Sequence, residues 1–275
     1  TYHYKPSDSM KKRKKLTRQI IIQALVEALK PLNYVHAFWE GGAAAFNRID
    51  EYSDIDLYAV VDDEKATETF YAVEEALESI SSIKQKLAVP QLPWPSVSQA
   101  FYRLKDANEY LIIDLAVLKL SSPDKFLEPE IHGNVVFYLN KNNKIKPLRL
   151  DRDAFLKKLH ERLQRLRSKF NMFNNFVQKE INRGNHLEAI DLYHALTLAT
   201  LVEALRIKYN PIHCDFKTRY IHYELPSEVI KKLERLNFVK NKKDLQEKYH
   251  EASEWFNKII PEINPKEMKD LIRRS

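Results

Sequence analysis

Cysteine is almost missing from this sequence: Cys214 is the only one in 275 residues. A single thiol excludes an internal disulfide framework and any zinc site built on paired cysteines, and it fits a reducing, cytoplasmic setting. Long apolar runs are missing too. The longest candidate, residues 20–32, is broken by Gln23, Glu27 and Lys30. It falls short of the ~20 apolar residues that a membrane span needs, so no membrane partner is expected. The N-terminal stretch has no apolar signal core and carries KKRKK at 11–15 instead. Charge of one sign is only mildly in excess, with 45 Lys and Arg against 38 Asp and Glu. The two signs are interspersed. Such a balance suits an anionic small ligand such as a nucleoside triphosphate, and no nucleic-acid partner is expected from it.

Glycine is scarce as well. Of four glycines, two are adjacent in GGAAAFNRIDEYSDIDLYAVV, residues 41–61. A chain so sparing of glycine places a pair shortly before Asp54 and Asp56. Two explanations compete: a tight turn entering a strand, or a phosphate cradle beside a metal site.

What is present is a globular composition, 44% apolar and 30% charged, with a change of pattern near residue 150. Before it, helix and strand signals alternate. A helix is expected over 9–31 with Ser9 as N-cap, and another over 64–81. Strands are expected at 34–39, 55–61, 83–89, 97–104 and 110–118, with a proline-rich loop, PQLPWP, at 90–95. A hairpin is expected from 135–139 and 145–148 around Asn142-Asn143. After it, only helical periodicity remains: 152–183 as one long helix, 186–209 as a second, then 226–238, 242–260 and 265–274. Two domains follow, 1–150 as an α/β unit and 151–275 as an all-α helical bundle. Within the bundle, Arg206 and His213 approximate the Arg-spacer-His pattern of the HEPN ribonucleases, interrupted by Pro211.

On a strand, residues i and i+2 share a face, so Asp54 and Asp56 stand side by side. Adjacent carboxylates repel unless a cation neutralises them, and hard Mg²⁺ prefers such oxygens. Asp114 is a lone acid inside the apolar run EYLIIDLAVLKL. It is either an edge residue facing solvent or, if its strand lies beside the first, the third carboxylate of a two-metal set. The small residues Gly41, Gly42 and Ala43, at the start of a short helical run, would let phosphate oxygens approach backbone N–H groups.

These residues together resemble the signature of the polymerase-beta-like nucleotidyltransferase superfamily: a Gly-Ser or Gly-Gly pair, a spacer, then acid–apolar–acid, here ending in YSDIDL, with a third acid later in LIIDLAV. The ending is most like that of the minimal and the aminoglycoside or lincosamide nucleotidyltransferases. The resemblance implies a pol-beta-like mixed sheet with flanking helices. It also implies transfer of a nucleoside monophosphate, usually AMP from ATP, to a hydroxyl of a small acceptor such as an antibiotic. Asp54, Asp56 and Asp114 would hold two Mg²⁺ ions, with Mn²⁺ as an alternative. Gly41, Gly42, Ala43, Arg48 and Ser53 would form the nucleotide-binding set. Asp215, Arg219 and Tyr220, in the polar stretch PIHCDFKTRYIHYELP, are the expected acceptor contacts. One departure stands out: Ala43 or Gly42 occupies the place of the family's serine. A non-catalytic nucleotide- or metal-binding module and a protein-adenylylating enzyme are the alternatives.

Overall fold

The computed structural model describes residues 16–89 and 96–274. The expectations for Ser9, KKRKK and PQLPWP lie outside them. The chain divides into two compact units, Thr1–Arg149 and Leu150–Ser275.

The first unit is a six-stranded mixed sheet with helices. Its elements are α1 (Arg18–Leu29), β1 (Val35–Glu40), α2 (Gly42–Ala45), β2 (Ile55–Val61), α3 (Ala66–Ile80), β3 (Ile83–Val89), β4 (Val97–Leu104), β5 (Ile113–Lys119), α4 (Pro129–His132) and β6 (Val136–Asn140). The strand order is β3-β4-β5-β2-β1-β6. Among the described residues only β2 and β5 run parallel, and they lie at the centre, which explains their near-continuous apolar character. One face of the sheet carries Ile55, Leu57, Ala59 and Val61 of β2 with Ile113, Leu115 and Val117 of β5. These pack with Ile21 and Leu25 of α1 and Val73 and Leu77 of α3. The opposite face carries Val60, Ala116 and Leu118 with Trp39. By strand alternation, Asp56 and Asp114 belong to this second face.

Two expectations are corrected here. The helix described as α1 starts at Arg18, not near residue 9, because Thr17 is extended and its hydroxyl accepts from the Ile20 N–H. Residues 145–148 form no strand. The Asn140 side chain takes both backbone groups of Ile145, donating to its carbonyl at 2.6 Å and accepting its N–H at 3.1 Å. Those groups are then satisfied without a hairpin partner.

The second unit is all helical: α5 (Arg152–Phe173), α6 (Asn175–Arg183), α7 (His186–Leu192), α8 (Ala199–Tyr209), α9 (Ile221–Glu224), α10 (Ser227–Asn237), α11 (Lys242–Glu262) and α12 (Pro265–Arg274). The long helix expected over 152–183 is interrupted at Asn174. Its side chain bonds Ser253 and Thr197 instead of merely facing solvent. Between α7 and α8 the helix widens into one π-turn, Tyr193–Leu198.

Arg206 and His213 meet on Glu224. The Arg206 guanidinium, 0% exposed, donates to Glu224 at 2.7 Å and also to the carbonyls of Lys217 and Arg219, and His213 Nδ1 lies 3.0 Å from the same carboxylate. This is a buried tie that fixes the 216–220 turn, not an exposed ribonuclease pair. Breaking a buried pair strands a charge. Arg206→Leu is therefore expected to cost ~3–5 kcal/mol in urea unfolding; a cost near zero would show that the tie is not formed.

Candidate active site

The site begins with register. In parallel β2 and β5, Asp56 pairs with Asp114, Ile55 with Ile113 and Leu57 with Leu115. In-register partners on neighbouring strands point the same way, so the Asp56 and Asp114 side chains leave the same face one strand spacing apart. Asp54 stands one residue before β2, at its N-terminal end. Asp114 is not an edge residue, since β5 lies between β4 and β2. Burial and, less strongly, the charge of Asp54 push its carboxyl up to about 6, while a hydrogen bond from Gln99, at 2.7 Å, pulls the other way. No cation is among the causes. Negative charge is thus concentrated at Asp54 and Asp114 on this part of the sheet.

A divalent cation suits that donor chemistry, because hard carboxylate oxygens and excess negative charge are what Mg²⁺ takes. Among the described residues no group of three or more His, Cys, Asp or Glu side chains is placed to hold a metal ion. The fit of Asp54, Asp56 and Asp114 to a metal is one of donor chemistry, not of a ligand group already assembled.

The glycine pair has a local cause. Gly42 has φ of +52°, and a Cβ there would lie 1.7 Å from an Asp56 carboxylate oxygen. A Cβ on Gly41 would lie 2.9 Å from the Tyr58 ring, which stacks on Trp39. The turn is therefore pressed against the Asp56 carboxylate and its strand. Gly41 N–H donates to the Asp56 carbonyl at 2.9 Å. The turn is tight because it lies on the acid. The first N–H groups of α2, at Gly42 and Ala43, have no partner within a helix this short.

Three further features hold this turn, and none was anticipated. Arg18 pairs with buried Glu40, at the end of β1, and donates to the carbonyls of Ser53 and Asp54, so one guanidinium ties both ends of the 41–54 segment. Tyr138 adds a hydrogen bond to Glu40. The Asn134 N–H donates to the Ala45 carbonyl at 2.9 Å, and a Cβ on Gly133 would lie 2.7 Å from that same oxygen, so the turn after α4 closes on α2. Arg18 follows a run of basic residues and carried no distinguishing sequence signal. Exposed Tyr52 and Tyr110 meet edge to face at 5.3 Å, each a few residues before an acid-bearing strand.

The remaining expected residues are placed as follows. Ser53 Oγ is engaged with Asp50, donating to its carboxylate at 2.8 Å and accepting its N–H at 2.9 Å. Arg48 lies 5.0 Å over the Phe46 ring. In the helical unit, Asp215 lines a cavity. Arg219 lies 4.1 Å over Phe216, and Tyr220 packs edgewise on Tyr223, away from that lining.

No family model and no curated protein matches the chain. Several solved structures align over most of it, among them the following two. An aminoglycoside 6-adenyltransferase from Bacillus subtilis is 12% identical, with a TM-score of 0.35, covering 89% of this chain and 88% of that one. The STING-associated CdnE c-di-GMP synthase from Capnocytophaga granulosa is 13% identical, with a TM-score of 0.28, covering 90% and 83%. Likeness at this level carries no functional inference. The side chains of the site must carry it.

Two outcomes follow from the geometry. Gly42→Ala is expected to cost at least ~1–2 kcal/mol, from the left-handed backbone alone, before the contact with Asp56 is counted; a neutral result in denaturant unfolding would contradict the close approach. Asp114 binds its proton more tightly folded than unfolded. Its contribution to stability is therefore full below the ordinary value of 3.8 and lost as pH rises through about 6. In chelator at pH 7, Asp114→Asn should therefore stabilise the protein, by at most ~3 kcal/mol, with little gain near pH 4. An equal gain at both pH values would exclude a buried, uncompensated carboxyl.

Proposed function

We propose that the chain is a metal-dependent nucleotidyltransferase. It would move a nucleoside monophosphate, AMP from ATP in the first instance, onto the hydroxyl of a small acceptor and release pyrophosphate. The observation that carries this reading is the in-register pairing of Asp56 with Asp114 on central parallel strands, with Asp54 at the N-terminal end of β2. Three acids on neighbouring strands concentrate hard oxygen donors, and these are what a triphosphate-bound metal takes.

In the reaction, the acceptor oxygen attacks the α-phosphorus, the bridging α–β P–O bond breaks, and its electron pair leaves with pyrophosphate. Bound Mg²⁺ would supply neutralisation of the triphosphate and acidify the acceptor hydroxyl. Asp54, Asp56 and Asp114 would hold it. Asp114, the acid of the later strand, would also take the acceptor proton. The backbone of Gly42 and Ala43, free of obstructing side chains, would receive phosphate oxygens. Arg48 would add charge there. Exposed Tyr52 and Tyr110 offer an aromatic surface beside the acids. The helical unit, with Asp215, Arg219 and Tyr220, would contribute to acceptor binding.

A non-catalytic nucleotide-binding module is the second reading. Ala43 favours it, because no serine hydroxyl stands in the phosphate turn. Pyrophosphate release from ATP and Mg²⁺ across a broad panel of acceptors separates the two. Asp54→Asn and Asp56→Asn are each expected to reduce release by several orders of magnitude while the fold persists. Nucleotide binding by calorimetry with no release from the unaltered protein would establish the second reading.

A further inference from the structure

The helical unit carries an open cavity of about 810 Å³. Its charge is one-sided. Arg162, Arg165 and Lys169 reach it from α5, at i, i+3 and i+7, which is one helix face. Lys217 reaches it from the turn before α9. Only two carboxylates line it, Glu203 and Asp215, and Glu203 is committed to Arg162 at 2.5 Å. Among the described residues, Arg165, Lys169 and Lys217 have no carboxylate within ion-pair reach.

This arrangement is built rather than accidental. Lys217 sits at φ of +53°, a conformation that long side chains rarely adopt. It is held there by buried Arg206, whose guanidinium grips the carbonyls of Lys217 and Arg219. The opposite wall comes from the π-turn. One widened turn brings Ala195, Leu198 and Ala199 to the cavity, where the alanines leave room and Leu198 joins Leu166 and Val202 as an apolar surface. Single π-turns inside helices occur disproportionately at ligand sites.

We propose that this cavity binds a small organic phosphate. The doubly charged phosphate would be met by Arg165, Lys169 and Lys217, and a compact apolar body would lie against Leu166, Leu198 and Val202. Three unpaired cations facing one space repel each other, and a dianion relieves that repulsion while giving Arg165 the planar, two-pronged partner that guanidinium prefers. A polycation is disfavoured by the same charges. The proposal stands whether or not the other unit transfers nucleotides.

Calorimetry on the full chain tests it, in chelator so that the carboxylates of the other unit hold no metal. Phenyl phosphate is the probe, and phenyltrimethylammonium, similar in size with opposite charge, is the control. Phenyl phosphate is expected to bind saturably at one site, with the ammonium compound far weaker. Arg165 and Lys169 are both exposed, so Arg165→Gln with Lys169→Gln should keep the fold, verified by thermal unfolding. That double variant should bind at least about tenfold more weakly, the weight of one lost charge-assisted hydrogen bond. Lys217→Gln repeats the test from a different element. Asp114→Asn should leave binding unchanged. The proposal is overturned by no saturable binding at millimolar probe, by equal binding of the ammonium compound, by variants that bind as the parent does, or by loss of binding in Asp114→Asn.

Discussion

Like charges held together on a sheet are the constraint from which the first unit is best understood. Parallel pairing of β2 with β5 sets Asp56 opposite Asp114, and no register slip can relieve it without turning Ile55, Leu57, Ile113 and Leu115 out of the core. The hydrophobic face therefore enforces the electrostatic problem on the other face. Burial and the neighbouring Asp54 then push Asp114 up to about 6.

Around this pair the chain is braced at short range. Gly42 can lie on the Asp56 carboxylate only because it lacks a Cβ and tolerates a left-handed φ. Arg18 secures the two ends of the intervening segment through Glu40 and the Ser53 and Asp54 carbonyls. The brace is largely removed from solvent, with the Arg18 and Glu40 side chains 12% and 3% exposed. Such a shielded pair fixes geometry more dependably than a surface one, because neither partner has water as an alternative. The helical unit uses the same device, with Arg206 and Glu224 holding the turn that presents Lys217.

Much of this was legible in the sequence where periodicity and residue chemistry agreed. β2 spans the expected residues because an apolar run follows two acids, and the Gly184 stop is a left-handed cap as its type suggests. The acid pair and the lone Asp114 were visible because buried carboxylates are rare. What sequence could not show is contact at a distance. Arg18 sits at the end of a basic run and looks like any solvated arginine, and Gln99 gives no sign that it faces Asp114. The 145–148 strand failed for a related reason: Asn140, a side chain, satisfied the backbone that a partner strand would have taken. Arg206 and His213 had a suggestive spacing, but only Glu224, distant in sequence, shows that both are buried ties.

The central claim is that Asp54, Asp56 and Asp114 are the metal-binding acids of a nucleotide site. Its most direct test is a crystal structure grown with Mn²⁺ and a non-hydrolysable ATP analogue, read by anomalous scattering. The account predicts manganese peaks at ligand distance, roughly 2.1 Å, from carboxylate oxygens of this set, with the triphosphate beside the Gly41–Gly42 turn. Manganese and nucleotide bound elsewhere, with these three acids bare, would contradict it.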